Sequence, residues 1–272
     1  MIKVAIIGFN GAFGSAITGP SDLLSQSGIT WNRIYGQPRR PRFMVEVVSA
    51  GGKPITCVNN LQLQPHSALE TLTPPDVLIV PTIGGNIDQT LAVNPEIIAY
   101  LQQVDCTRTV ISSNCTGAFF LAEAGLLEGK QATTHWGVAD LFRQRYPNVL
   151  LKPEQMITQS GNILCAGGGQ AWFDLCLYLV EHFVGHAAAV ETAKGFVIDL
   201  GRRSQFSYVP IEARRQHSDP YVHSIQAWID KHYVQPLSLE QLKQDHGLSV
   251  RTLIRRFKKA TGDTPLAYIQ AV

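Results

Sequence analysis

The sequence lacks the features of a membrane or secreted protein. No apolar run in its 272 residues reaches the roughly 18 to 20 residues that a membrane span requires. The opening MIKVAIIGFNG has neither the charged and apolar regions nor the small-residue cleavage pattern of a signal peptide. We therefore expect a cytoplasmic protein that does not bind membranes.

Cysteine is scarce, and its spacing excludes two further classes of protein. The five cysteines form no CxxC pair and show no metal-ligand spacing. This pattern suits a reducing compartment and argues against a disulfide framework or a zinc site. We expect free thiols, no metal and no cofactor. The cysteines are Cys57, Cys106, Cys115, Cys165 and Cys176.

Charge is unevenly distributed, although the net charge is only +2. Residues 1–201 carry 12 Lys/Arg and 15 Asp/Glu, whereas residues 202–272 carry 11 and 6. Such asymmetry is typical of a chain whose C-terminal end meets nucleic acid or another acidic partner, and also of a solvated basic face. The hydrophobic content of 45% is enough for a sizeable core in either part.

Strands and helices alternate over the first 200 residues. The segments KVAIIGF, RFMVEVVSAGG, DVLIVPTIGGN and RTVISSNC read as buried strands, with helical segments between most of them and a hairpin at ITCVNNLQLQP. This alternation predicts an α/β domain with a mainly parallel sheet covered by helices, whose ligands gather beyond the C-terminal strand ends. Gly84, Gly85 and Cys115 fall at such ends.

The stretch SSNCTGAFFLAEAGLLEGKQATTHW places Cys115 where a strand passes into a helix that we expect to end at Gly129. Ser113 and Gly117 permit a tight, strained turn, and the helix N-terminus favours a thiolate. A second strand, KQATT, can bring His135 back beside the first, where it could be the base or hydrogen-bond partner of Cys115. Taken alone, the spacing favours a buried structural cysteine and an unrelated histidine, since single cysteines are commonly core residues.

The pattern changes after residue 200. Residues 201–219 contain four arginines and no clear period, so we predict a linker there. Residues 220–272 predict helices only, with a capping box at Ser238 and Gln241, a stop at Gly247 and a cap at Ser249. This arrangement is a helix, a short turn and a helix.

The helix SVRTLIRRFKKATG is strongly basic on one side. Val250, Leu253 and Phe257 are expected to face inward. Such a helix can enter a major groove and neutralise phosphates, although many surface helices are basic without touching DNA. The five cations are Arg251, Arg255, Arg256, Lys258 and Lys259, with no acid between Leu248 and Ala260.

Residues 220–272 resemble the first part of an AraC/XylS-family DNA-binding domain, through PLSLEQLKQDHGLSVRTLIRRFKKATGDTPLAYI. The resemblance implies double-stranded DNA as partner. It implies base or backbone contacts from Arg251, Thr252 and Arg255, with Ile254 beside them, and phosphate contacts from Lys258 and Lys259.

Residues 1–200 resemble the ThiJ/PfpI-like branch of the flavodoxin-like, class I glutamine amidotransferase-like fold, in the version fused to AraC-type domains. Enzymes of that superfamily use the cysteine with a histidine and a carboxylate from the first strand-helix turn. In the regulator branch the acid stands four residues before the proline of a GP dipeptide. Gly19-Pro20 matches, but that position is Ala16, and the nearest acid is Asp22 beyond the proline. We therefore expect a degenerate site at Cys115 and His135, with no catalytic residue.

We expect this degenerate site to be a binding pocket derived from a catalytic one. Its expected walls offer backbone N–H groups for an anionic ligand group and an aromatic ring for a cation. The resemblance implies a small nitrogenous metabolite as the effector. The wall residues are Gly84, Gly85, Asn86, Cys115, Thr116, His135 and Trp136.

The leading hypothesis is a ligand-responsive transcriptional regulator that acts as a homodimer. The alternative is a cysteine-dependent hydrolase, amidase or glyoxalase-like enzyme with an appended helix-turn-helix. The chain stops inside a helix begun by Thr264 and Pro265. In the resembled family that helix leads to a second helix-turn-helix, so we expect a partial DNA-binding domain that binds its operator weakly alone.

Overall fold

The structure, a computed structural model, describes residues 1–210, 217–235, 237–262 and 264–271. The chain divides into two compact units, Met1–Arg203 and Ser204–Val272, called here the first and second unit. The predicted linker is therefore shared. Its first residues belong to the first unit and a 3-10 turn at Phe206–Tyr208 belongs to the second. Residues 211–216 of that linker lie outside the described residues.

Neither a membrane-spanning helix nor a metal-binding cluster occurs in the described ranges. The longest apolar helices in these ranges fall short of the length and hydropathy that a bilayer span requires. Histidine, cysteine and carboxylate side chains within the same ranges form no group of three that could hold a metal ion.

The strands of the first unit are short and mostly apolar. Their bounds are β1 Ile2–Gly8, β2 Phe43–Ser49, β3 Ile55–Thr56, β4 Gln62–Leu63, β5 Ser67–Ala68, β6 Val77–Val80, β7 Val110–Asn114, β8 Gln131–Ala132, β9 Leu150–Leu151, β10 Ile157–Ser160 and β11 Ile163–Ala166.

Seven of these strands form one sheet in the order β10-β11-β7-β6-β1-β2-β5. All neighbours are parallel except β10 and β11, which form an antiparallel hairpin. Strand β1 lies between β2 and β6, where Val4 stands opposite Val45 on one side and Val77 on the other. The central strands are apolar on both faces because helices cover both. The predicted fold class, a mainly parallel sheet followed by helices, is confirmed.

Two small sheets flank the main one. Strands β3 and β4 pair antiparallel, which confirms the predicted hairpin. Strand β8, within KQATT, pairs with β9 and not with β7. Both edges of β7 are already occupied, by β6 and β11, so no hydrogen-bonding edge is left for another strand.

The bounds of the helices of the first unit are α1 Ser15–Gln26, α2 Thr30–Ile34, α3 Ile87–Ala92, α4 Pro95–Gln103, α5 Ala118–Glu123, α6 Ala139–Arg145, α7 Trp172–Val184 and α8 His186–Phe196. Helices α1, α5 and α7 contact the main sheet, α1 and α7 contact each other, and α8 packs against α7 and α2.

The helix after Cys115 is shorter than predicted. It ends at Glu123, six residues before Gly129. Gly125 adopts a φ of 75° and the Leu126 N–H donates to the Leu121 carbonyl at 3.0 Å. This is a Schellman ending, and the earlier of the two glycines supplies it.

The second unit contains α9 Pro220–His232, α10 Leu239–His246, α11 Val250–Thr261 and α12 Pro265–Ala271. The predicted caps form: Ser238 Oγ accepts from Gln241 N at 3.3 Å and Ser249 Oγ accepts from Thr252 N at 3.2 Å. Gly247, with a φ of 65°, makes the turn between α10 and α11. The core of this unit is Val222, Ile225, Ile229, Leu242, Leu253, Phe257 and Tyr268.

Candidate functional site

Cys115 lies in a strained turn at the end of β7. It begins a 3-10 turn, Cys115–Gly117, that leads directly into α5. Its φ of 56° lies in the left-handed region, which costs free energy for a residue with a side chain. Gly117 makes the turn possible, because a Cβ there would lie 2.5 Å from the Val80 carbonyl oxygen. The sequence expectation of a tight turn at this position matches this geometry.

The hydroxyl groups of three threonines hold the Cys115 turn through hydrogen bonds. Thr134 Oγ1 donates to the Cys115 carbonyl at 2.8 Å, and Thr116 Oγ1 donates to the Ile83 carbonyl at 2.9 Å. Thr82 Oγ1 donates to Asn114 Oδ1 at 2.6 Å. The KQATT segment therefore returns beside Cys115 through Thr134, even though its strand joins another sheet.

Sequence reasoning missed Thr82, Asn114 and Thr134 as parts of this site. All three are buried in the structure. A signal was present, since each is a polar residue at the end of, or just after, a mostly apolar strand segment. Buried polar groups of this kind require partners, which here are one another and the backbone.

The Cys115 thiol is buried, with 5% of the residue exposed. Burial raises the pKa of the thiol above its ordinary value. The Gly169 and Thr116 N–H groups and the nearby Thr116 and Thr82 hydroxyls act in the opposite direction and are weaker. The N–H groups at the start of the helix favour the thiolate, as expected, but desolvation outweighs them and the thiol is neutral at pH 7.

His135 is held as a helix cap and not as a base for Cys115. Its Nδ1 accepts a hydrogen bond from the Gly137 N–H at 2.9 Å, so the neutral ring carries its proton on Nε2. Burial lowers the pKa of His135, which keeps the imidazole neutral at pH 7. Within the described part of the chain, no hydrogen bond joins this ring to Cys115. The site contains no thiolate and imidazolium pair.

Gly168 lies in close contact with the imidazole ring of His135. A Cβ at Gly168 would lie 2.2 Å from His135 Cδ2. The next residue, Gly169, provides the N–H that reaches the Cys115 sulfur. Residues 168–169 thus touch both predicted site residues, and the sequence signal for them was the run of three glycines in CAGGGQ.

Of the other residues predicted to line the site, some have a structural role and others have space around them. Gly84 is structural, because a Cβ there would lie 2.8 Å from Val58 Cγ1 and 3.1 Å from the Gly11 carbonyl oxygen. Gly85 has open space around it. Asn86 caps α3 by accepting from Gln89 N at 2.9 Å. Trp136 is half-buried, with its ring centroid 5.2 Å from that of His135.

No carboxylate from α1 takes part in the site. Ala16, at the position of the family acid, is buried. Asp22 is exposed and lines a separate hollow of about 180 Å³ with Ile17 and His66. The hydrogen bonds to the Cys115 sulfur come from backbone and hydroxyl groups. This arrangement lacks the acid that would orient a catalytic histidine or protonate a leaving group.

The glycine segment also contacts the last residues of the first unit. The Arg202 guanidinium donates to the Gln170 carbonyl at 3.4 Å and, through Nε, to Asp174 Oδ1 at 3.1 Å. Asp174 is buried, which raises its pKa, and Arg202 opposes that shift. Met156 N donates to the Arg203 carbonyl at 3.0 Å. The chain that leaves the first unit is thus hydrogen-bonded to the segment that touches Cys115 and His135.

The second predicted site is the basic helix α11. Arg251, Arg255, Lys258 and Lys259 are exposed along it. The Thr252 hydroxyl accepts from Ser249 Oγ at 2.9 Å, and Ile254 is half-buried.

Arg256 was predicted with these cations, but the structure gives its guanidinium another role. Its Nε lies 2.9 Å from Asp219 Oδ2, and a second guanidinium nitrogen donates to Asp219 Oδ1 at 3.0 Å. The same guanidinium lies 4.2 Å from the centroid of the Tyr221 ring. Asp219 caps α9 through the Tyr221 and Val222 N–H groups, so Arg256 ties α11 to the start of α9.

Comparison with known proteins places this geometry in a family. Residues 3–182 match the DJ-1/PfpI family. The chain is 30% identical over 220 residues to the HTH-type transcriptional regulator CdhR of Pseudomonas aeruginosa, a match that covers 80% of this chain and 64% of CdhR. The chain thus spans less than two thirds of that relative's length.

Two further likenesses bear on the first unit. The chain is 31% identical over 179 residues to isonitrile hydratase of Pseudomonas putida, covering 65% of this chain and 68% of the enzyme. A crystal structure of an AraC family transcriptional regulator from Pseudomonas putida shares the fold, with a TM-score of 0.58 and 23% identity over 71% of this chain and 98% of that one. The resemblance predicted from the sequence is confirmed, and the chain belongs to the DJ-1/PfpI family.

Proposed function

We propose that this chain is a ligand-responsive DNA-binding transcriptional regulator. The observation that carries the proposal is the face of α11, where Arg251, Arg255, Lys258 and Lys259 are exposed on a helix that follows a short, capped turn. These four side chains form no ion pair within the described ranges. A helix of this kind is built to enter a major groove and contact phosphates. The name of CdhR, an HTH-type transcriptional regulator, supports the same function.

We propose that the site at Cys115 binds the effector and performs no turnover. Both the thiol and the imidazole are neutral at pH 7, and Ala16 leaves no acid beside them. Neutral donors and a half-buried Trp136 ring suit a small nitrogenous metabolite such as an amino acid or a quaternary amine.

The glycine segment joins the Cys115 site to the last residues of the first unit. Gly169 contacts the Cys115 sulfur, and Arg202 contacts the carbonyl of the following Gln170. An effector that displaces the glycine segment therefore changes the hydrogen bonds of Arg202. We propose that this segment is the element whose two arrangements the effector biases, and that the regulator acts as a homodimer.

DNA binding is tested with a duplex selected by this chain from a random-sequence pool. We expect Arg251→Ala with Arg255→Ala to weaken binding at least about tenfold at fixed salt, because phosphate and base contacts are both lost. The matched control is Arg108→Ala with Arg143→Ala, which removes two exposed arginines from the first unit. Equal losses in both variants would contradict recognition by α11.

Effector binding is tested by thermal shift with a panel of amino acids and quaternary amines. A compound that binds the folded state raises the melting temperature with its concentration. We expect Trp136→Ala to abolish the shift and the control Trp31→Ala, on α2, to retain it.

Size-exclusion chromatography with light scattering tests the proposed homodimer. A monomer both with and without DNA would contradict it.

The alternative function is that of a cysteine-dependent hydrolase, and the left-handed Cys115 together with the likeness to isonitrile hydratase favours it. Alkylation of Cys115 by iodoacetamide separates the two. Because burial raises its pKa, we expect slow alkylation at pH 7, slower than at Cys106, and a rise only above the ordinary thiol range of about 8.5. Fast alkylation at pH 7, or turnover that Cys115→Ala abolishes, would favour the enzyme.

A further inference from the structure

The first unit carries a concentrated basic surface far along the sequence from α11. Residues 37–42, the sequence QPRRPR between α2 and β2, are called here the arginine loop. Arg39 and Arg40 are exposed on it, and Arg33 is exposed in the preceding helix. No acid occurs between Asp22 and Glu46. This concentration contrasts with residues 1–201 as a whole, which carry 15 acids and 12 basic residues.

The arginine loop is held in one conformation by backbone contacts. Arg40 N donates to the Gly28 carbonyl at 2.9 Å, and Ile2 N donates to the Arg42 carbonyl at 3.0 Å. Gly28 has a φ of 76°, and a Cβ there would lie 2.1 Å from the Arg40 carbonyl oxygen, so only glycine allows this close approach.

Asn32, in α2, provides a second set of contacts to the arginine loop. Its buried side-chain amide donates to the Pro38 carbonyl at 2.7 Å, and its own carbonyl accepts from Gln37 N at 2.7 Å. Pro38 and Pro41 fix two further φ angles. The loop therefore presents Arg39 and Arg40 from an ordered backbone, which lowers the entropy lost when they bind a partner.

The exposed cations of this surface are not neutralised within the described chain. Arg33, Arg39 and Arg40 make no ion pair there. Arg42 differs, because it lines a hollow of about 440 Å³ together with Asp76. Three exposed guanidinium groups without a facing acid suit a polyanion better than a single carboxylate.

We propose that the arginine loop is a second, sequence-independent contact for the phosphate backbone of duplex DNA. Guanidinium groups pair with phosphate oxygens through two parallel hydrogen bonds and remain charged at every accessible pH. The proposal rests on the proposed function, since it requires that this chain binds duplex DNA. The loop adds affinity for any sequence, whereas α11 adds discrimination between sequences.

The test compares four full-length proteins on random-sequence duplex over a range of KCl concentrations. They are the unaltered chain, Arg39→Gln with Arg40→Gln, Arg251→Gln with Arg255→Gln, and the control Arg108→Gln with Arg143→Gln. Each phosphate contact contributes about 0.9 to the slope of log K against log salt, so the loop variant is expected to lower that slope by about 2. The control is expected to keep the slope of the unaltered chain, and matching melting temperatures show that the variants are folded.

The outcomes separate the loop from the proposed function. A lower slope in the loop variant, with the same loss on random and selected duplexes, supports the loop contact. An unchanged slope and affinity in the loop variant, while the α11 variant loses binding, overturns the loop contact and leaves the proposed function standing. An unaltered chain that binds no duplex at low salt overturns both. A loss as large in the control also overturns the loop contact, because it would report net charge alone.

Discussion

The two units of this chain keep their functional groups in opposite environments. In the first unit the candidate site is built from buried groups at strand ends, with Cys115, Thr116 and Thr134 all inside the protein. In the second unit the candidate site is a row of exposed cations on α11. A buried site depends on the packing around it, whereas an exposed helix face depends mainly on the stability of the helix that carries it.

The two units also differ in the size of their hydrophobic cores. Among the residues that the structure describes, the core of the second unit contains seven buried hydrophobic side chains, whereas that of the first extends across the main sheet and its helices. Small cores supply only about 3–5 kcal/mol of stability. One substitution can therefore remove the whole stability of the second unit and only part of that of the first.

The largest effect that we expect is from Phe257→Ala in the second unit. Phe257 is fully buried and packs edge-on against Tyr268, with ring centroids 5.4 Å apart. Truncation of a buried phenylalanine costs about 3–5 kcal/mol, which matches the whole stability of a core of this size. We expect the second unit to unfold and DNA binding to disappear while the first unit stays folded.

The matched variant in the first unit is Phe120→Ala, since Phe120 is also fully buried. It is expected to lower the melting temperature without abolishing the fold. Calorimetry and circular dichroism measure both variants. A single shared transition that shifts equally in each would show that the units are not independent in stability.

A smaller effect is expected from Gly117→Ala at the Cys115 turn. The added Cβ would lie 2.5 Å from the Val80 carbonyl oxygen and 2.6 Å from that of Pro81, both of which are backbone atoms. Overpacking of this kind costs about 1–3 kcal/mol. Gly85→Ala is the control, because nothing lies within 4 Å of a Cβ there. Chemical denaturation is expected to show a loss for Gly117→Ala alone, and equal values would mean that the turn adapts.

Local patterns in the sequence predicted most of the fold. The caps at Ser238 and Ser249, the hairpin of β3 and β4, and the strand before Cys115 follow from residues within a few positions of one another. The wrong helix end at Gly129 had a local cause too, because Gly125 offered the same signal earlier. Turns and caps are short-range chemistry, so periodicity and residue type are sufficient for them.

The partners of the site residues could not be predicted, because they join distant parts of the chain. Arg256 was assigned to DNA, yet its partner Asp219 lies 37 residues away. The bond between Thr82 and Asn114 spans 32 residues, and that between Arg202 and Asp174 spans 28. A cation or hydroxyl in a sequence does not reveal which group the fold brings to it.

An effect of similar or smaller size is expected from Arg202→Gln at the end of the first unit. The variant leaves the buried Asp174 carboxylate without its guanidinium, at a cost of about 1–2 kcal/mol for this partly exposed pair. Burial already raises the pKa of Asp174, and loss of Arg202 raises it further. The first unit of this variant should therefore lose less stability at acidic than at neutral pH, because a carboxyl with a raised pKa is protonated earlier as the pH falls.

Thermal unfolding at pH 7 and pH 5 checks this expectation against Arg203→Gln as the control. Arg203 contributes its backbone carbonyl to the Met156 contact, which the substitution leaves in place. If both variants lose the same stability at both pH values, Asp174 does not depend on the guanidinium of Arg202.

The smallest effect concerns Arg256→Gln at the surface of the second unit. A hydrogen bond from Arg256 is the main cause of the lowered pKa of Asp219, with the Val222 and Tyr221 N–H groups adding to it. A carboxyl with a lowered pKa in the folded state stabilises the fold above its unfolded value of about 3.9 and loses that contribution as the pH falls through the folded value. The unaltered second unit should therefore exceed the variant in melting temperature at pH 6, and the gap should close below about pH 4.

Arg255→Gln, an exposed neighbour without an acid partner, is expected to show no such pH-dependent gap. If the gap for Arg256→Gln stays constant from pH 6 to pH 3, the guanidinium contributes through its packing on Tyr221 and not through the charge of Asp219.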